Sequence, residues 1–177
     1  MTDHGPAALK TYAPEGVYLL RTAQQIQYQL SQMADQKASM LLGATFVIFT
    51  ITVSQIHNVA QPAALLVLGA SAFASAVLAV LAVMPSTKAP PRADGPSNLL
   101  FFGSFTQVPE QDYVEMLLGV VSNSTTVYQA FAHDIYQNGQ VLAKKKYRYL
   151  TYAYRILLAG LVLSFLTFVA SYVGLGS

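Results

Sequence analysis

Three stretches of this chain hold no charged side chain over the length of a membrane crossing: residues 38–56, 63–84 and 156–175. A helix of about 20 residues rises about 30 Å, the thickness of a bilayer's hydrocarbon core. Lipid offers no hydrogen-bonding partner to a backbone, so a spanning segment must satisfy its own N–H and C=O groups, as a helix does. The competing reading is three core helices of a soluble domain. Composition argues against it, because only 10% of the residues are charged, where soluble domains carry roughly a quarter. The expected fold is an all-α membrane protein with three transmembrane helices.

Orientation follows from the basic residues. The connection 55–62 has none, whereas Lys10, Arg21 and Lys37 precede the first run. Lys88, Arg92, Lys144, Lys145, Lys146, Arg148 and Arg155 lie between the second and third. The positive-inside rule places both segments in the cytoplasm, with the N-terminus inside and the C-terminus outside. No basic stretch leads directly into a short apolar core near the start, so the first apolar run is expected to target the chain to the membrane.

The polar segments have helical periodicity of their own. Leu19, Ala23, Ile26, Leu30, Met33, Lys37, Met40 and Ala44 keep the 4-3 spacing of a heptad seam. This predicts one helix from about Glu15 to Ser54, opened by Pro14, which crosses from water into lipid unbroken. A second seam runs from Val114 through Leu118, Val121, Tyr128, Ile135, Leu142, Lys146 and Ala153 to Ile156. The polar run 122–126 and the Asn138-Gly139 pair mark places where it would kink or turn. Both seams are read either as packing inside one small bundle or as contacts between subunits of a homo-oligomer.

The resulting plan is a disordered tail (1–14), a cytoplasmic helix (15–37), TM1 (38–56), a short outer loop (57–62) and TM2 (63–84). A cytoplasmic Pro/Phe-rich loop (85–109), one or two cytoplasmic helices (110–155) and TM3 (156–175) follow. In the loop, Pro85 to Pro91 excludes helix interior, and 94–97 reads as a turn. Residues 98–105, with Phe101, Phe102 and Phe105, read as a short strand or extended loop whose rings need burial.

Several chemistries are excluded. The chain has no cysteine, and His4, His57 and His133 lack the spacing of a helical zinc site. Neither a nucleophile elbow nor a phosphate-cradling glycine loop occurs. Adjacent His133 and Asp134 diverge on a helix and are expected at the surface. Asn123-Ser124-Thr125 matches a glycosylation sequon on the expected cytoplasmic side and carries no weight. A net charge of +2 does not mark a nucleic-acid binder. No enzyme, metal or resident cofactor is expected.

Two charged groups remain to be explained. Asp35 and Lys37 stand at the lip of the first apolar run, two apart, so they do not face each other. In one reading Lys37 snorkels to head groups and Asp35 is solvated. In the other, Asp35, Lys37 and Lys146 pair across helices and fix their register. The Lys144–Arg148 cluster either holds topology and touches anionic lipid or forms a phosphate-binding face, with Tyr147, Tyr149, Phe101 or Phe102 stacking on a base. Thr45 and Thr52, one heptad apart, either line a narrow wet path or bond their own helix carbonyls. Ser71, Ser75 and Ala79, with Gly160 and Ser164, permit close helix approach.

The order of these elements resembles a known family. Asp35-Gln36-Lys37-Ala38 entering an apolar helix is followed by Asn98-Leu99-Leu100-Phe101-Phe102-Gly103, Tyr113, Asp134-Ile135-Tyr136 and the Lys-rich 142–149 stretch before a last apolar helix. This resembles the Pycsar transmembrane effectors over residues 25–169. The resemblance implies a bacterial inner-membrane, multi-pass antiphage effector, activated by cyclic CMP or cyclic UMP from a pyrimidine cyclase, that impairs the membrane and arrests the infected cell. It implies a nucleotide site, for which Asn98, Phe101, Phe102, Lys144, Lys145 and Arg148 are the candidates. The lipid bilayer and further copies of the chain are the other expected partners. The alternative is an oligomeric membrane scaffold whose cytoplasmic helices dock a partner protein without gating.

Overall fold

The computed structural model describes residues 13–58, 62–85 and 98–174. Of these, 86% are helical, and none is in a strand. In chain order the helices are α1 (Gly16–Gln55), α2 (Ala63–Val83), α3 (Phe102–Phe105), α4 (Glu110–Val121), α5 (Ser124–Val141) and α6 (Arg148–Tyr172). A π-helical segment, Leu142–Tyr147, joins α5 to α6, so the chain is helical from Ser124 to Tyr172. Three helical spans are long and apolar enough to cross a membrane, and the first and third are the long ones. The expected turn at 94–97 and the basic residues Lys10, Lys88 and Arg92 lie outside the described residues.

The 40 residues of α1 span about 60 Å at 1.5 Å each. Pro14 and Glu15 form the turn that opens it, with Gly16 N–H bonded to Ala13 O at 2.9 Å. Residues 34–40 are α-helical throughout, with no change of helix type. The chain forms two compact units, and α1 contributes to both.

The first unit contains the start of α1 through Tyr28, together with α3, α4 and α5. Pro109 precedes α4, whose first turn carries Glu110 and Asp112 where the helix dipole favours acids. The break falls at Ser122-Asn123. Asn123 Oδ1 accepts from the Thr125 N–H at 2.8 Å and so caps α5. The Asn138-Gly139 pair does not turn the chain, because the helix runs through it. Residues 98–105 are neither strand nor extended loop. Asn98 Oδ1 accepts from the Leu100 N–H at 3.0 Å, forming an Asx turn, and α3 adds one helical turn. Of the three rings, Phe102 stands 55% exposed rather than buried.

The second unit contains α1 from Gln29, α2, the π segment and α6. Its core is Ala34, Ala38 and Leu41 of α1, Ala72, Ala79 and Ala82 of α2, and Leu150, Ala153 and Leu157 of α6. Six of these nine are alanine, which lets backbones approach closely. Ser75 Oγ donates to Ala153 O at 2.8 Å, and Ser164 Oγ donates to Ala64 O at 2.8 Å. At Gly160 a Cβ would overlap the Oγ and Cβ of Ser71. The large apolar side chains, among them Phe46, Phe73, Leu158, Phe165 and Phe168, point outward. Thr45 and Thr52 are buried, and each donates to carbonyls three and four residues back, at 2.8 to 3.0 Å. They bond their own helix.

The first heptad seam is not the packing stripe of the chain. Leu19, Ile26, Met33 and Met40 are 46% to 72% exposed. The buried stripe of α1 is Ala34, Ala38, Leu41, Thr45 and Thr52, one residue further on and thus rotated by about 100°. Packing within one chain therefore leaves the predicted seam open.

Gly160→Ala places a methyl where Ser71 stands, and Ser71 Cβ cannot leave without moving α2. The expected loss is about 1–3 kcal/mol, read from detergent-driven unfolding in micelles. Adding Ser71→Gly should recover most of it.

Candidate functional site

Two clusters of polar side chains are built into the fold, one in each unit. The first surrounds Asp134, which is only 5% exposed and therefore not the surface residue expected from its position beside His133. Asn98 Nδ2 donates to its Oδ1 at 3.0 Å. Gln24 Nε2 donates to Oδ2 at 2.9 Å, and Asn138 Nδ2 donates to the same oxygen at 3.0 Å. The helical i, i+4 spacing places Asn138 over Asp134. A buried polar group is tolerated when it is bonded, and here three amides converge on one carboxyl. Asn98 is itself 5% exposed, and its second amide hydrogen goes to Gln137 Oε1 at 2.9 Å. Gln27 Nε2 donates to Ile135 O at 2.8 Å.

The second cluster lies at the start of the apolar part of α1. Lys146 Nζ lies 2.7 Å from both carboxylate oxygens of Asp35 and 2.8 Å from Ser31 Oγ. Its three N–H groups thus match three acceptors. The pair is half-open, with side chains 21% exposed for Lys146 and 46% for Asp35. Flanking residues of the π segment also reach other helices. Lys145 Nζ donates to Met84 O at 2.9 Å, a cation at the C-terminal end of α2 where the dipole favours one. Tyr147 OH donates to Leu30 O at 3.3 Å, and Tyr154 OH donates to Lys37 O at 3.3 Å. A π segment inside an α-helix frequently marks a functional position, and this one adds Lys145, Lys146 and Tyr147 to the direct contacts of α6 with α1 and α2.

The predicted site residues divide between these units. Asn98, Phe101 and Phe102 belong to the first. Both amide hydrogens of Asn98 go to Asp134 and Gln137, and its Oδ1 accepts from the Leu100 N–H. The rings of Phe101 and Phe102 lie 5.1 Å apart, with Phe102 open to the outside. Lys144, Lys145, Arg148, Asp35, Lys37 and Lys146 belong to the second unit. Asp35 and Lys146 meet. Lys37 is exposed, and its backbone carbonyl accepts from the Tyr154 hydroxyl. Lys144 and Arg148 are exposed. Sequence reasoning missed Gln24, Gln27, Ser31 and Asn138. Ser31 carries a signal, since it lies one turn before Asp35 on the same helix face.

The family model described as the Pycsar effector protein domain matches residues 18–173. The chain belongs to the Pycsar effector family. The match covers nearly every described residue, including both polar clusters and all three apolar spans. It assigns the chain an antiphage effector role, and the three spans make this Pycsar effector a membrane protein. The family is not an enzyme family. No curated protein and no solved structure matches the chain.

Asp134→Asn turns one acceptor into a donor facing another amide donor. It should destabilise the protein by about 1–3 kcal/mol, measured by thermal circular dichroism in detergent. Asp35→Lys or Lys146→Asp alone puts like charges in contact. Each should lower the melting point, and the exchanged double variant should restore most of it.

Proposed function

We propose that this Pycsar effector is an inner-membrane switch that cyclic CMP or cyclic UMP turns on, impairing the bilayer and arresting the infected cell. The observation that carries the reading is the uninterrupted helix α1, polar before Asp35 and charge-free after Lys37. In this reading the continuous helix carries a change in packing on the wet side into the lipid side. The ion pair from Asp35 to Lys146 sits at that transition and joins the rod to the segment leading into α6. In this reading residues 13–37 and 98–155 face the cytoplasm, where the excess of Lys and Arg would hold them.

A ligand shifts such an equilibrium only by binding one packing more tightly than the other. Moving it from 1:99 to 99:1 takes about 5.5 kcal/mol. Charge-assisted bonds to phosphate together with a base stacked on an aromatic ring are of that order. Assembly of several copies is part of the proposal. The open seam of Leu19, Ile26, Met33 and Met40 supports it, since a heptad stripe unused within one chain suits a second helix. The same stripe is what a partner-docking scaffold without gating would need. That second reading predicts a stoichiometric partner and no response to nucleotide.

Bacteria expressing the protein should lose membrane potential when cyclic CMP or cyclic UMP is supplied and keep it otherwise, followed with a potential-sensitive dye. Correctly inserted protein that leaves the potential unchanged with both nucleotides would rule the reading out. Asp35→Ala should insert normally yet respond more weakly, because the ion pair that couples the helices is gone.

A further inference from the structure

Arg148, Thr151, Tyr152 and Arg155 follow one another at i, i+3, i+4 and i+7 along α6, so they share one helix face. It lies away from the buried stripe of Leu150, Ala153 and Leu157. With Ala143 and Tyr147 these side chains line an open cleft of about 250 Å³. The hydroxyl of Tyr147 is held by Leu30 O, so its ring forms a fixed wall.

No acid lines the cleft. Lys146 and Lys145 nearby are committed, the first to Asp35 and the second to Met84 O. Neither Arg148 nor Arg155 has an ion pair or hydrogen bond among the described residues. Two guanidinium groups facing one opening repel each other unless an anion sits between them. Their Cα atoms are separated by about 10 Å of helix rise, a gap that two arginine arms can close around one tetrahedral group. The planar fork of arginine matches phosphate oxygens in pairs, and the hydroxyls of Thr151 and Tyr152 add neutral donors.

We propose that this cleft is a phosphate-binding site and that its ligand is the head group of an anionic phospholipid. Depth selects the lipid. Arg155 is the last charge before the charge-free stretch 156–175, so the cleft opens at the level where head groups lie when that stretch spans the bilayer. The proposal rests on the membrane placement of that stretch and not on nucleotide gating.

The test uses the full-length protein in detergent, with native mass spectrometry reading bound ligand. The probes are dihexanoyl phosphatidylglycerol, dihexanoyl phosphatidylcholine, inorganic phosphate and cyclic CMP. Phosphatidylglycerol should bind at least about tenfold more tightly than phosphatidylcholine, which corresponds to one charge-assisted contact pair. Arg148→Gln and Arg155→Gln should each weaken it about tenfold, whereas Arg21→Gln, remote in sequence and equal in charge change, should not. Ala143→Leu keeps both arginines and fills the cleft. It should weaken binding as well, which preserves the test where an arginine variant fails to fold. Equal binding of the two lipids, or full binding by Arg155→Gln or Ala143→Leu, overturns the site. Displacement of phosphatidylglycerol by inorganic phosphate or cyclic CMP at lower concentration, through the same arginines, overturns the lipid assignment and gives the cleft to a soluble phosphate. The assay contains no gating step, so loss of the membrane-potential response leaves its result intact.

Discussion

Apolar helices surrounded by lipid gain nothing from hydrophobicity by touching one another. What holds them is close van der Waals contact and the few hydrogen bonds that cross between them. The second unit is built on that constraint. Alanine dominates the core, a serine side chain occupies the place of a missing Cβ at Gly160, and Ser75 and Ser164 each donate to a carbonyl of a neighbouring helix. Each small residue shortens the distance at which two backbones run. The large side chains are then free to face outward, where lipid solvates them as well as protein would.

The first unit solves a different problem. Its helices are amphipathic at best, and its most buried charged residue sits among carboxamides rather than cations. Amide donors to a carboxylate are directional, so the network fixes how α1, α5 and the Asx turn at Asn98 meet. Mispositioning any one of them leaves a buried group unpaired, a cost larger than the gain of a single bond. Such a network specifies one arrangement where an alanine interface tolerates sliding. The two units thus differ in what defines them: shape in one, hydrogen-bond pairing in the other.

Much of the fold was legible in the sequence. Charge-free length marked the apolar helices, and Pro14, Pro109 and the polar run at 122–126 marked helix starts and a break. The direction of each helix face was not legible in the same way. The seam read on α1 followed 4-3 spacing through Leu19, Ala23, Ile26, Leu30, Met33, Lys37, Met40 and Ala44. In the apolar half of the helix the small residues pack instead, and the stripe of Ala34, Ala38, Thr45 and Thr52 faces in. The serine and glycine spacing of the second and third spans did point to the interior, because small size is the signal that survives the change of solvent. In the polar unit, nothing in the local sequence singled out Gln24 and Gln27. Gln24 donates to the Asp134 carboxylate and Gln27 to the Ile135 carbonyl, each more than 100 positions away, which no local pattern reveals. Residues 98–105 were misread because a Phe-rich run suits a strand by propensity, whereas the Asn98 side chain imposes a turn on the backbone.

The basic residues before the third span divide their work according to what surrounds each one. Lys146 is neutralised by a carboxylate and so contributes little to the field outside the protein. Lys145 satisfies the open end of α2 and is spent on structure. Lys144, Arg148 and Arg155 are exposed and have no ion pair among the described residues. Topology depends on the count of cations beside a span, whether or not they are paired, whereas attraction to anionic head groups depends on the charge left unpaired. The paired lysines set the helix against its neighbours, and Arg148 and Arg155, two and nine residues nearer the apolar stretch than Lys146, are the cations left for the head-group site proposed above.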